Sequence, residues 1–384
     1  MNNVYIGTGF EVLAEKFFEL TKNQSAGGAA LCVYQNGLPI IDVWAGEAST
    51  HIPWDAETNV LIWSSTKGLL SILAHRAIEQ GFLDVNEKVS KYWPEFGCNG
   101  KENITVSMIM RHRAGLSAPR EELTFDDVLA LQPVLDAFAR QSPIWEPDSG
   151  FAYHSISFGY LLGKIISSAM GVSIGELMQR EISQPLTVPA WIGVPQNIEI
   201  PIARFFTDDG PIPPVPVVGS NEYWMERSFS FGGAFKGGLT GDIEGWNDPR
   251  VYQAEIAGAG AVTNARSLAK IYSAAVIETD SVRLLRDTTI VEALNHRNEG
   301  DNIWGEPQPH PVHTLGFIAP NADHSPILSN STFGHDGLGG QQGFGDLEHR
   351  IGFGYVTNWI PIYEDGMSRH RELTRVLKSC LAQK

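Results

Sequence analysis

The segment Ser64-Ser65-Thr66-Lys67 places a serine three positions before a lysine. On a helix, positions i and i+3 share one face with Cβ atoms about 5 to 6 Å apart, so the lysine amine can take the serine proton. Such a base must be neutral near pH 7, and burial lowers a lysine pKa from its usual value of about 10.4. The helix that follows Lys67 is apolar round most of its surface, which predicts this burial. The pattern indicates a serine nucleophile, Ser64, with Lys67 as its base.

The start of the same helix offers a second chemical resource. The first turn of a helix has free backbone N–H groups and the positive end of the helix dipole, both suited to a developing oxyanion. Taken alone, however, Ser64 and Lys67 also fit an N-cap serine and a solvated lysine. Support therefore has to come from other parts of the chain.

Two further serines compete with Ser64. Ser267 and Lys270 repeat the spacing, but in a segment that reads as an amphipathic surface helix without flanking partners. The segment Gly171-Val172-Ser173-Ile174-Gly175 fits the Gly-x-Ser-x-Gly nucleophile elbow, which requires a strand before it. A helical stripe precedes it instead, and Ser173 with Glu176 fits a capping box. We therefore expect Ser173 to cap a helix.

The composition limits the classes of partner. The 384 residues include 28 Lys plus Arg against 44 Asp plus Glu, which gives a formal net charge of -16. Such a field repels phosphate backbones and anionic membrane surfaces, so neither nucleic acid nor a membrane is expected as a partner. The 43% hydrophobic content predicts a sizeable core, and the length predicts two lobes. The oligomeric state stays open.

The cysteines and the N-terminus suggest a compartment. Cys32, Cys98 and Cys380 are odd in number, widely spaced and set among apolar residues, so we expect free, buried thiols. The first residues lack a basic stretch followed by an apolar one, and no apolar run approaches the roughly 18 residues that span a bilayer. Cytoplasmic residence is the expectation.

Both ends of the chain predict parts of one α/β domain. Apolar residues recur at helical spacing in 10–20 and again in 373–381. Asn36-Gly37, between two strand-like runs, is a strong hairpin signal. Further strand patterns follow in 333–345 and 350–358. We therefore predict one sheet domain from 1–63 and 300–384, with a helix at each end of the chain.

The middle of the chain predicts a second, mainly helical domain over 64–299. Helical patterns run from Lys67 to Gln80, closed by Gly81, and along an apolar stripe from Phe158 to Ala169. The stretch 184–238 is rich in proline and glycine, so long ordered loops are expected there in place of helices or strands. Loops of this kind often line a substrate cleft.

Two more motifs stand at suggestive places along the chain. Tyr153-His154-Ser155 precedes the helical stripe, and His335-Asp336-Gly337 lies on a late strand. With Ser64-x-x-Lys67, their order and spacing resemble the serine β-lactamase and penicillin-binding-protein family, closest to its class C-like branch with the family VIII carboxylesterases. The resemblance spans nearly the whole chain. Three flanking phrases support it: Gly81-Phe82-Leu83-Asp84, His112-Arg113-Ala114-Gly115-Leu116 and Ala257-Gly258-Ala259-Gly260. It implies a serine β-lactamase-like fold, with an antiparallel sheet flanked by the terminal helices and a helical second lobe.

The resemblance also implies roles for individual residues. Ser64 would attack the substrate, while Lys67 and Tyr153 would transfer the proton, and no metal or cofactor would be needed. The backbone amides of Ser64 and Leu338 would form the oxyanion hole, and Ser155 would hydrogen-bond Lys67 and orient it. Whether Lys67 or Tyr153 is the ground-state base stays open, because coupled groups titrate as a pair.

The third motif departs from the β-lactamases, which carry Lys-Thr-Gly there. A mostly neutral His335 beside Asp336 binds an anion poorly, whereas Gly337 would let the backbone approach the substrate. We therefore expect a small-molecule carboxylic ester with a small or medium acyl group as substrate. One alternative is an amide, such as a β-lactam or a D-amino-acid peptide, and another is a catalytically silent ligand-binding or scaffold relative. His112 is assigned to a structural loop, because no second metal ligand follows at a binding spacing.

Overall fold

The computed structural model describes residues 4–208, 210, 215–298, 300–305, 310–321, 328–362 and 366–383. Its strands are β1 Tyr5–Ile6, β2 Gly28–Gln35, β3 Leu38–Ser49, β4 Ile52–Pro53, β5 Val60–Leu61, β6 Ala190–Ile192, β7 Phe206–Thr207, β8 Ala261–Thr263, β9 Thr332–Gly337, β10 Gln341–Asp346, β11 Ile351–Thr357 and β12 Trp359–Ile360.

The helices alternate with these strands and fill the middle of the chain. They are α1 Glu11–Lys22, α2 Ser65–Glu79, α3 Val106–Met110, α4 Phe125–Leu129, α5 Gln132–Arg140, α6 Ser157–Met170, α7 Ile174–Met178, α8 Gln184–Leu186, α9 Asn221–Ser230, α10 Pro249–Gln253, α11 Ala265–Val276, α12 Asp287–Asn295 and α13 Ser368–Leu381. A π-helical turn, Gln179–Ser183, joins α7 to α8. Single 3₁₀ turns lie at Val89–Lys91, Pro94–Phe96 and Leu338–Gly340.

Strands from both ends of the chain form one antiparallel sheet. Its order is β1-β3-β2-β11-β10-β9, with β4 paired to β3. Asn36 and Gly37 both have positive φ, which is the two-residue hairpin turn that their sequence predicts between β2 and β3. Strand β9 is the last strand in this order, and Ile318 forms an isolated antiparallel bridge with its residue Gly334. The predicted antiparallel sheet is confirmed.

The terminal helices α1 and α13 cover one face of this sheet. Leu13 and Phe17 from α1 and Leu377 from α13 share one apolar cluster with sheet residues such as Val33 and Phe353. All five are fully buried, so removal of this apolar surface from water holds the helices to the sheet. The predicted flanking helices are confirmed.

Helix α11 covers the opposite face. Strand β11 carries glycine at positions 352 and 354, where a Cβ would lie 2.2 Å from Ala269 O and 2.3 Å from Ala265 O. Only glycine allows the helix backbone to approach the sheet this closely. The predicted surface helix is therefore wrong, because Ser267 is only 2% exposed. The predicted domain boundaries stay a prediction, although α11 falls within 64–299 and lies on the sheet.

The middle of the chain is mainly helical, with α2 packed against α6. The expectation of loops throughout 184–238 is wrong for Asn221–Ser230, which forms helix α9, and β6 and β7 also fall in this stretch. The Ser220 side chain accepts a hydrogen bond from the Tyr223 amide, which starts α9 despite the nearby prolines. The Pro-rich part at 211–214 lies outside the described residues.

The cysteines are free, as predicted. Cys32 and Cys380 are buried, but Cys98 is partly exposed, so its predicted burial is wrong. Within the described ranges, no single helix has the length and apolar character needed to cross a bilayer. Ser157–Met170 and Ile174–Leu186 meet that test only together, as a pair bent by 74°.

Candidate active site

Ser64 stands at the start of α2 with its hydroxyl free of the capping role. It occupies the N-cap position, yet its side chain makes no capping hydrogen bond. Trp63 before it has a φ of 46°, a strained conformation for a residue with a side chain. The rings of Phe205 and Trp246 hold it, with centroids 5.0 and 4.4 Å from the Trp63 ring. The serine hydroxyl is therefore available to other groups.

Lys67 lies one helical turn further on and points to Ser64. Its Nζ donates hydrogen bonds to Ser64 Oγ at 2.9 Å and to the carbonyl oxygen of Gly258 at 2.8 Å. The side chain has no exposure to solvent. Burial lowers the pKa of Lys67 to about 7, although the negative charge of Asp336 partly opposes this. A large fraction of the amine is thus neutral near pH 7, as a base requires.

The Gly258 carbonyl reaches Lys67 because two segments pack without side chains between them. A Cβ on Gly159 in α6 would lie 1.8 Å from Gly258 N, and a Cβ on Gly258 would lie 2.5 Å from Ile156 O. Only glycine fits at both positions. The sequence motif does not identify Gly258 as a partner of Lys67.

Tyr153 completes the predicted convergence. Its phenol hydrogen-bonds Ser64, and Lys67 Nζ lies 5.0 Å from the Tyr153 ring centroid. Burial raises the pKa of Tyr153, which the hydrogen bond to Ser64 partly offsets and the negative charge of Asp336 increases. This direction favours the protonated phenol at neutral pH and Lys67 as the base. Which of the two residues is the ground-state base stays a prediction.

The buried Ser228 of α9 fixes the backbone around Tyr153. Its hydroxyl accepts a hydrogen bond from the Ser155 amide and donates one to the Tyr153 carbonyl oxygen, both at 3.1 Å. Ser155 lines the same cavity as Ser64. No hydrogen bond joins Ser155 to Lys67 among the described residues, so that predicted orienting contact is wrong. The Gly258 carbonyl takes its place.

The end of β9 packs directly on the start of α2. A Cβ on Gly337 would lie 2.6 Å from Ile62 O and 3.2 Å from Ser65 N, so Gly337 has to be glycine. Leu338 follows at once and lines the cavity with Ser64. This packing supports the oxyanion hole implied for the Ser64 and Leu338 amides, whose role stays a prediction.

His335 and Asp336 are held inside the site. His335 Nδ1 lies 2.8 Å from the Asp336 carbonyl oxygen. Burial and the nearby Lys67 push the pKa of His335 well below its ordinary value. Burial raises the pKa of Asp336 to about 6, while Arg371 and Lys67 act in the opposite direction. Both residues line the cavity, as the motif predicts.

Three histidines surround Tyr153. Nitrogen atoms of His112, His313 and His335 all lie within 4.8 Å of one another. His112 Nδ1 accepts a hydrogen bond from the His154 amide at 3.1 Å, so in the neutral ring Nε2 carries the hydrogen. Neither nitrogen then has a free lone pair for a metal ion. The cluster therefore does not fit a three-histidine metal centre. The spacing of these histidines in the sequence did not predict that they would cluster.

A cavity of about 520 Å³ opens onto Ser64, Tyr153 and His335. Most side chains that line it are apolar, among them Trp63, Phe151, Ile156, Phe229, Leu239 and Trp246. Asp336 contributes a carboxyl group, and no lysine or arginine is among the described residues that line the cavity. The cavity suits an uncharged, mainly apolar molecule.

The competing serines lie in structural positions. Ser173 caps α7 by accepting a hydrogen bond from the Glu176 amide, and its hydroxyl donates to Glu255, so the predicted cap is confirmed. Lys270 Nζ donates to the Leu186 carbonyl oxygen and pairs with Asp280, which directs it away from Ser267. Neither serine has a basic partner like that of Ser64.

Comparisons with known proteins agree with this geometry. A family model described as Beta-lactamase matches residues 13–377. The esterase/beta-lactamase LipL of Mycobacterium tuberculosis is 29% identical over 365 residues, which cover 91% of this chain and 81% of LipL. Two solved structures are each 26% identical: a family VIII carboxylesterase with a TM-score of 0.83, covering 98% of both chains, and EstA from Arthrobacter nitroguajacolicus Rue61a with a TM-score of 0.85, covering 99% of this chain and 98% of EstA.

The whole-length match, the shared fold and the Ser64–Lys67–Tyr153 arrangement lead to one assignment. The chain has the beta-lactamase-like fold that its three motifs imply. A serine, a buried lysine and a tyrosine meet at its cavity. The chain belongs to the beta-lactamase family of serine hydrolases.

Proposed function

We propose that the protein is a carboxylesterase that cleaves uncharged esters of small or medium acyl groups through an acyl-enzyme on Ser64. The observation that carries the proposal is an apolar cavity of about 520 Å³ that Ser64 lines and that no described lysine or arginine lines. Lys67 donates a hydrogen bond to this serine. A substrate carboxylate would find no cation there and would face the carboxyl group of Asp336. A neutral ester avoids both penalties.

The similar proteins point in the same direction. LipL is described as an esterase/beta-lactamase, and one similar structure is a family VIII carboxylesterase. These descriptions support ester hydrolysis here without identifying the ester. The substrate size is inferred from the cavity, whose volume matches sites that bind small organic molecules.

Acylation follows from the protonation states. Neutral Lys67 takes the Ser64 proton as Oγ attacks the ester carbonyl, and the Ser64 and Leu338 amides stabilise the negative oxygen. Tyr153, protonated and bonded to Ser64, gives its proton to the departing alkoxide. Lys67 then passes the proton that it took from Ser64 to the Tyr153 phenolate. In net terms one proton has moved from Ser64 to the alcohol, and an acyl-serine remains.

Deacylation reverses these roles. A water molecule takes the place of the alcohol. As it attacks the acyl group, its proton passes to Tyr153, whose own proton moves to neutral Lys67. The Ser64 oxygen leaves and recovers a proton. The acyl group is covalently attached to Ser64 between the two steps, and the apolar cavity walls can pack against its chain.

The test is a comparison of substrates. Purified wild-type protein is assayed with nitrophenyl acetate, nitrophenyl butyrate and nitrocefin, beside a Ser64→Ala variant. We expect hydrolysis of both esters at least tenfold faster in kcat/KM than that of nitrocefin, and loss of both ester activities in Ser64→Ala. Faster nitrocefin hydrolysis would favour the amide alternative. Unchanged ester hydrolysis in Ser64→Ala would revive the catalytically silent alternative.

A further inference from the structure

The two ring nitrogens of His335 have different chemical states. A carbonyl oxygen can only accept a hydrogen bond, so the contact between Nδ1 and Asp336 O at 2.8 Å puts the hydrogen on Nδ1. Burial keeps the ring neutral. Nε2 therefore carries a bare lone pair, and this atom is buried without a hydrogen-bond partner. A buried, unpaired acceptor is costly and uncommon in folded proteins.

The neighbouring histidines do not satisfy this acceptor. His112 and His313 each bring a ring nitrogen within 4.8 Å of a ring nitrogen of His335, but neither makes a hydrogen bond to His335 Nε2. The His112 ring is held by the His154 amide, which donates a hydrogen bond to His112 Nδ1. The lone pair on Nε2 therefore belongs to a His335 ring that is buried and held in place.

His335 borders the place where the alcohol part of a substrate must lie. The rings of His335 and Tyr153 are 6.1 Å apart at their centroids and within 30° of parallel. Both residues line the cavity beside Ser64. In the proposed mechanism the Tyr153 hydroxyl protonates the departing alcohol, so the neighbouring His335 ring is on the alcohol side of the site.

We propose that His335 Nε2 makes the enzyme selective for esters whose alcohol carries a second hydroxyl group, as in monoesters of a glycol or of glycerol. The second hydroxyl donates its hydrogen to the lone pair, which an alkyl alcohol would leave unpaired. A neutral hydroxyl fits better than an ammonium group, because the cavity is mainly apolar and burying a charge in it is costly. This inference rests on the proposed function, since it names the substrate class of the same site.

A matched pair of substrates isolates the hydrogen bond. Propyl butyrate and 2-hydroxyethyl butyrate have the same number of non-hydrogen atoms and differ only in a terminal methyl or hydroxyl group. In the wild type we expect kcat/KM to favour the hydroxyethyl ester by about tenfold, the usual size of one satisfied buried hydrogen bond. His335→Phe, which removes the acceptor, should bring the ratio close to one. His335→Gln, which keeps an acceptor, should restore part of it.

The controls separate selectivity from general damage. The intrinsic reactivity of the two esters cancels when the ratios of wild type and variant are compared. His349→Phe, on the turn between β10 and β11, is a matched control that should keep the wild-type ratio. If His335→Phe does not fold, as judged by thermal unfolding, the wild-type ratio corrected for the alkaline hydrolysis rates of the two esters decides alone.

The outcomes distinguish the two proposals. If the wild type hydrolyses neither ester, the proposed function fails. If it hydrolyses both and the corrected ratio is near one, or if His335→Phe keeps the wild-type ratio, the esterase proposal stands and the selectivity inference is overturned. A ratio that falls in His335→Phe and recovers in His335→Gln supports the inference.

Discussion

The Lys67 amine lies 2.9 Å from the Ser64 hydroxyl, while the lysine side chain is completely buried. A buried ammonium is costly, so this environment favours the neutral amine that can take a proton. The Gly258 carbonyl accepts the other described hydrogen bond of Lys67, which holds the amine in place without adding a neighbouring charge. Proton transfer from Ser64 therefore depends on the burial of Lys67, which keeps its amine neutral, and on the hydrogen bond that holds it near Ser64.

The burial of Lys67 predicts an unusual dependence of stability on pH. Its folded pKa of about 7 lies below the unfolded value of about 10.4, so the unfolded chain binds more protons between these values. The cost is fully present below pH 7 and is relieved as pH rises through this window. Relative to Lys67→Met, the wild-type free energy of unfolding should rise by about 2 kcal/mol from pH 7 to 9. Urea unfolding of both proteins at these pH values measures the difference, and a constant difference would contradict the assigned pKa.

The acid side of the activity profile should report the same group. Only neutral Lys67 accepts the Ser64 proton, so kcat/KM should fall about tenfold per pH unit below about pH 7. Asp336 raises the Lys67 pKa through its negative charge, so Asp336→Asn should move this acid limb to lower pH. Profiles with nitrophenyl butyrate measure the shift. The exposed Asp136→Asn is the control, and a shift to higher pH in Asp336→Asn would contradict the assigned sign.

The loss of activity on removal of the Tyr153 hydroxyl should depend on the leaving group of the ester. Tyr153→Phe keeps the ring contacts but removes the proton donor, so we expect a loss of roughly 10² to 10⁴ in kcat/KM with an alkyl ester. A nitrophenolate leaves without a proton, so the loss with nitrophenyl butyrate should be at least tenfold smaller. Lys67→Met, in contrast, should affect both esters alike. Equal losses in Tyr153→Phe would argue against its role as proton donor.

Ser173 should matter for stability and leave catalysis untouched. Its side chain caps α7 and donates to Glu255, so Ser173→Ala should lower the free energy of unfolding by about 1 kcal/mol. Its kcat/KM for nitrophenyl butyrate should stay within twofold of the wild type. A large loss of activity with intact folding would show that the choice of Ser64 over Ser173 is wrong.

Local spacing predicts the parts of the site that lie on one element. Ser64 and Lys67 share α2, so helical geometry alone brings their side chains together. Asn36-Gly37 specifies its hairpin for the same reason. Tyr153 comes from a different segment, and its place in the site came from resemblance to a family.

The contacts that the sequence did not predict come from packing between distant segments. The Gly258 carbonyl reaches Lys67 because Gly159 and Gly258 leave no side chain between their backbones. In the sequence, Gly258 is notable only as part of a phrase that flanks the motifs. Ser228 holds the Tyr153 segment from α9, in a stretch whose prolines and glycines had indicated loops.

Long-range packing also explains two of the errors about burial and contact. Helix α11 has the periodicity of a surface helix, but strand glycines let it lie close against the sheet. Ser155 was expected to contact Lys67, yet its amide is held by Ser228 and the lysine turns to Gly258. Periodicity describes one element, whereas these contacts depend on which elements meet.

The central claim is that Lys67 activates Ser64, and labelling with a serine-reactive phosphonate tests it most directly. The protein is incubated with the phosphonate at several pH values and the adduct is located by peptide mass spectrometry. We expect one adduct, on Ser64, with a labelling rate that rises with pH through about 7 and falls by at least 10² in Lys67→Met. Ser173→Ala should label like the wild type. An adduct on Ser173, or a Ser64 labelling rate that is unaffected by Lys67→Met, would contradict the claim.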